Sequence, residues 1–160
     1  MNLSLLILLP VLSAVAVLFA RNAKQVRTIA LLGSVIQLTL VSWLAFAYVS
    51  VHNTGATEQF LFQQRATWFA AFNIQYYVGV DGISVAMMLM TALVVVAGVL
   101  VSWKVERMTK EFFFLLLFLS AGAYGFFMSL DLFMMFFFLE LAVIPKFLLI
   151  AIWGSGRKEY

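Results

Sequence analysis

An all-α integral membrane fold with five spanning helices is what this sequence predicts, and three observations carry that reading. First, the 160 residues are 65% hydrophobic and only 11% charged, with mean hydropathy +1.07. A soluble domain carries about a quarter charged residues. Second, the charges sit in short blocks between long apolar stretches, and about 20 apolar residues cross the ~30 Å hydrocarbon core. Third, the basic residues fall almost entirely on one side of those stretches, as the positive-inside bias requires.

Five stretches qualify as spans, in a single membrane domain of residues 1–160: roughly 3–20, 28–50, 82–103, 112–130 and 132–153. The first lacks a basic region ahead of it, is interrupted by Pro10, and is followed by its positive charges. It therefore reads as a retained span and not as a cleaved signal peptide. The third begins at Asp81-Gly82, where the Asp carboxylate can accept from first-turn N–H groups. The fourth carries Ala121, Gly122 and Gly125, a small-residue face that lets another helix approach closely. Only Asp131 separates the fourth from the fifth, so those two are expected to form a tight antiparallel hairpin. Asp131, like Asp81, reads as a helix cap.

Five spans put Arg21, Lys24, Arg27, Lys104, Arg107, Lys110, Arg157 and Lys158 on one side, leaving Arg65 alone on the other. The amino terminus is thus expected outside and the carboxy terminus inside. Residues 51–80 form the one long non-spanning piece, polar at first and then mixed aromatic and amide. Trp68, Tyr76 and Tyr77 suit the headgroup level. An outer-side interfacial helix and a short hairpin both satisfy this pattern.

Several chemistries are excluded. The chain has no cysteine and a single His52, which rules out thiolate or bis-histidine ligation within it. No metal or cofactor-binding residues are expected, and the basic residues follow a membrane pattern instead of a nucleic-acid one. The residue that stands out is Glu140. A carboxyl near mid-bilayer costs about 2.5–3.5 kcal/mol on insertion scales. Fourteen Leu, Ile, Val and Phe residues between Leu132 and Ile152 offset it, at about 0.3–0.6 kcal/mol each.

Glu140 lies nine residues past Asp131, or ~13 Å along the helix. Desolvation at that depth favours the neutral carboxyl and makes it a candidate proton carrier. The alternative is a protonated acid that hydrogen-bonds a neighbouring helix as inert glue. Pro145 removes the amide that would bond the Leu141 carbonyl, freeing an acceptor within one turn of Glu140. Lys146 is turned about 120° from Glu140 and does not share its face. Its stem can snorkel towards the inner headgroups, or its charge can modulate the site.

The string Tyr77-Val78-Gly79-Val80-Asp81-Gly82-Ile83-Ser84 is followed by Leu130-Asp131-Leu132-Phe133, Glu140-Leu141-Ala142-Val143-Ile144-Pro145 and Ile152-Trp153-Gly154. In order and spacing it resembles the amino-terminal part of the M-type antiporter-like subunit of respiratory complex I, the proton-pumping NADH:quinone oxidoreductase. The resemblance covers most of the chain from about Trp68 onward. It implies that Glu140 is a key protonatable residue, paired across helices with a lysine on a seventh span. It also implies a subunit without redox cofactor or direct NADH or quinone site, whose partners are the other membrane-arm subunits, the lipid bilayer and protons. The bacterial inner membrane is the expected location, ahead of the mitochondrial one.

Three departures stand out. Leu139 occupies a position where the family usually has Trp, and Lys146 one where it usually has an apolar residue. The family has about fourteen spans, so a five-span chain reads as truncated or as one piece of a split subunit. Two other functions compete: a subunit of a multi-subunit cation/proton antiporter or membrane-bound hydrogenase, and a non-transporting structural or assembly protein.

Overall fold

A computed structural model describes residues 2–55 and 57–154. Five helices run in order, α1 (Ser4–Phe19), α2 (Ala23–Asn53), α3 (Gly82–Val101), α4 (Thr109–Met128) and α5 (Leu132–Trp153). Between α2 and α3 lie two strands, β1 (Leu61–Phe69) and β2 (Ile74–Val80). Four of the helices are long and apolar enough to cross a membrane, whereas α1 has only 16 residues. At 1.5 Å per residue α1 spans about 24 Å, short of the full hydrocarbon core. The second helix, by contrast, outruns its apolar stretch of 28–50 by several residues at each end. Lys24 and Arg27 extend it on one side, and His52 and Asn53 on the other.

Residues 51–80, where the sequence allowed either a helix or a hairpin, form mainly an antiparallel hairpin. Gln64 pairs with Val78 and Ala66 with Tyr76. A single 3₁₀ turn at Ala70–Phe72 reverses the chain, and Asn73 follows at φ 53°. That left-handed conformation is one asparagine tolerates. The hairpin is tied to the bundle at several points. Ser4 of α1 meets the Tyr76 hydroxyl at 2.8 Å, the Leu130 amide donates to the Tyr77 carbonyl at 2.8 Å, and Ser129 bridges to Val78. Trp68 packs edge-on against Phe137 of α5 at 5.6 Å. Arg65, the lone cation of this end, lies 4.2 Å over the Tyr77 ring.

The basic connections meet at the opposite end. Arg27 donates to the Val105 carbonyl at 3.2 Å, and Trp153 Nε1 to that of Arg107 at 2.9 Å. Arg157 and Lys158 lie outside the described residues. Both expected caps form: Asp81 accepts from the Ser84 amide at 2.7 Å, and Asp131 from those of Phe133 and Met134.

Helix α4 is central to the packing, lying against α1, α3 and α5. Its small-residue face receives α5. A Cβ on Gly122 would stand 2.8 Å from the Ala142 amide nitrogen, and one on Gly125 would overlap the Phe138 ring. Two buried apolar clusters fill the bundle, one around Leu6, Leu44, Met88 and Tyr124, the other around Val17, Val26, Val99 and Phe113.

Pro10 leaves the Leu6 carbonyl without its helical donor. Gln37 of α2, buried in the bundle, supplies the replacement, its Nε2 lying 2.8 Å from that oxygen. A membrane helix tolerates proline through such a substitute, because solvent cannot provide one.

Candidate functional site: the open face of α5

Helix α5 buries one narrow stripe. Met134, Phe138 and Pro145 are covered, and Ala142 sits between them against Gly122. Only 11% of its apolar stretch is buried, against 44% for α4. Glu140 lies off the stripe and is exposed. The sequence placed it deep along the helix, and it is so placed; what the fold adds is the direction it faces.

An apolar groove of about 270 Å³ runs beside it, lined by Phe118, Phe137, Glu140, Leu141 and Ile144. Among the described residues the Glu140 carboxyl makes neither a hydrogen bond nor an ion pair, so no inert-glue contact forms within them. Leu141, whose carbonyl Pro145 frees, lines the same groove. The helix nonetheless continues unbroken through Pro145 to Trp153.

Lys146 is exposed as well and is not brought to Glu140. This follows from the roughly 120° between them and from the rise of six residues. Glu140 and Leu141 thus line one groove, and Lys146 stands apart. No group of three His, Cys, Asp or Glu comes together among the described residues.

Sequence reasoning missed two buried polar residues elsewhere, Gln37 and Tyr124. Each was visible as a polar group within an apolar run. Their burial is set by helix packing, which spacing along one helix does not encode.

Comparison with known proteins adds a context for this face. No protein-family model matches the chain. Over 160 residues, 99% of its length, it is 34% identical to the NAD(P)H-quinone oxidoreductase chain 4 of the Chara vulgaris chloroplast, covering 32% of that protein. It is 32% identical to the NADH-quinone oxidoreductase subunit M of Buchnera aphidicola, again over 99% of the chain and 32% of the relative. The chain is a homologue of the subunit M and chain 4 proteins.

A further relative is the F(420)H(2) dehydrogenase subunit M of Methanosarcina mazei, 30% identical over 98% of the chain and 31% of the relative. The fold is also found in a solved structure of the membrane-bound sulfane sulfur reductase, an archaeal respiratory membrane complex. There the TM-score is 0.72 at 24% identity, over 96% of this chain and 31% of that one. The chain therefore spans about a third of the length of the relatives it matches.

Proposed function

We propose that this chain serves as part of a proton-translocating membrane-arm subunit of an NADH:quinone oxidoreductase of the complex I type, with Glu140 as a protonatable residue of the proton path. The observation that carries the proposal is an ionisable residue beside an apolar groove, on the long helix whose face is left almost wholly uncovered. An intramembrane acid is costly, and the cost is most simply repaid by a role in ion or proton movement. The similarity to subunit M and chain 4 proteins over nearly the whole chain supports it.

In this reading the open face of α5 packs against further helices of the same subunit, and a lysine on one of them pairs with Glu140. Protonation of the carboxyl weakens that pair and ionisation strengthens it, so proton transfer and the pair's geometry are coupled. Pro145 contributes by leaving the Leu141 carbonyl free to accept from water or a polar partner within one turn of Glu140. Lys146 acts as a modulator, its charge close enough to alter the field but turned off the groove.

The subunit carries no redox cofactor of its own. Electrons move on other polypeptides, which fits a chain with no cysteine and one histidine. The basic end faces the inside of a bacterial inner membrane.

The test is Glu140→Gln in the intact complex, with proton pumping and electron transfer measured side by side. Pumping should collapse while the complex assembles normally. Unchanged pumping with normal assembly would sink the role of Glu140 and favour a structural one.

A further inference from the structure

The polar atoms left without partners in the bundle core lie away from Glu140. Gln37 is 3% exposed, and its Nε2 donates to the Leu6 carbonyl. That carbonyl can only accept, so the amide nitrogen must face it and the amide oxygen must point elsewhere. Among the described residues Oε1 is buried with no partner. Tyr124 of α4 is fully buried, and its hydroxyl is in the same position.

Two antiparallel pairings put these groups at one depth. Ser13 of α1 lies against Gly33 of α2, so Gln37, about one turn further along α2, comes level with Leu9. Ser4 and Ser129 are both tied to β2, through Tyr76 and Val78. Tyr124 is five residues in from Ser129, about 7.5 Å, and so is also level with Leu9. Tyr124 and Leu6 share one buried cluster.

The two orphans are complementary in kind. A phenol hydroxyl needs an acceptor for its proton, and an amide oxygen can only accept. Buried polar atoms in a core are routinely satisfied by an ordered water with two to four polar partners.

We infer that Gln37 and Tyr124 together hold one buried water between α1, α2 and α4. The water accepts from the Tyr124 hydroxyl and donates to Gln37 Oε1. Gln37 then joins three helices, reaching α1 through the carbonyl that Pro10 frees and α4 through the water. This site is independent of the proton path proposed for Glu140.

The experiment is a cryo-EM map of the native assembly, purified by a tag on this chain, at a resolution that shows ordered waters elsewhere in its membrane core. A peak within about 3.5 Å of both Gln37 Oε1 and the Tyr124 hydroxyl is expected. A direct hydrogen bond between the two side chains, another partner for either atom, or no peak overturns the inference. Tyr124→Phe, which deletes one oxygen, should lose the peak and keep the Gln37–Leu6 bond. A peak that persists in this variant also overturns it. Should the variant not assemble, the map of the unaltered protein decides alone.

Discussion

Helices α4 and α5 form one hairpin of nearly equal arms, 20 and 22 residues, and both are rich in phenylalanine. Their surroundings differ sharply. Helix α4 packs on all four other helices and hides Ser120, Tyr124 and three small residues, whereas α5 touches mainly α4 and the hairpin strand β2. Apolarity makes a helix suited to a bilayer, but it does not say whether protein or lipid covers each face. In α4 the small residues and interior polar groups mark faces that other helices seal. In α5 the polar group is on the unsealed face.

The comparison is broken most directly at its open side. Glu140→Gln should lower proton pumping at least about tenfold, equivalent to ~1.4 kcal/mol in a barrier. The complex should still assemble, because Gln keeps the size of the side chain and loses only the charge; pumping and the amount of assembled complex, measured in parallel, check this.

On the sealed side the sign reverses, with stability lost first. Gly125→Leu drives a branched side chain into the Phe138 ring and should cost about 3 kcal/mol by overpacking. The readout is the melting midpoint of the purified assembly. Gln37→Leu strands the Leu6 carbonyl and should cost about 2 kcal/mol, read by the same assay. If Pro10→Ala is added, the backbone donor returns and most of that loss should be recovered.

The smallest effect belongs to the cap of α3. Asp81→Ala should cost about 1 kcal/mol. The Ser84 side chain, helped by backbone amides, holds the Asp81 carboxyl below its ordinary value of 3.8 against an opposing desolvation effect. A depressed folded value means the ionised cap contributes above the ordinary value and is lost as pH falls through the lower folded one. The deficit of Asp81→Ala should therefore be constant near neutral pH and shrink only in acid below about 4, as denaturation at several pH values would show.

Much of this architecture could be read from local chemistry. Asp81 and Asp131 announce the starts of α3 and α5, because a cap needs only residues within one turn. Gly122 and Gly125 announce a close helix contact, and α5 makes it. The hairpin at 51–80 was left open, since its aromatic and amide residues satisfy either an interfacial helix or two strands. In the fold they pair as two strands, and β2 also meets Ser129 and Leu130, distant in sequence.

At the candidate site, the sequence alone determined that an acid sits about nine residues into an apolar helix, near a proline and turned away from Lys146. Those are distances and angles along one helix, set by its rise and twist. Which way Glu140 faces, and that Leu141 shares its groove, depended on α5 spending its single packing stripe on the small face of α4. Likewise Pro10 was visible as a missing donor, but only the docking of α2 showed that Gln37 replaces it. Helix geometry is local and periodic, whereas the choice of which face is covered is made between helices.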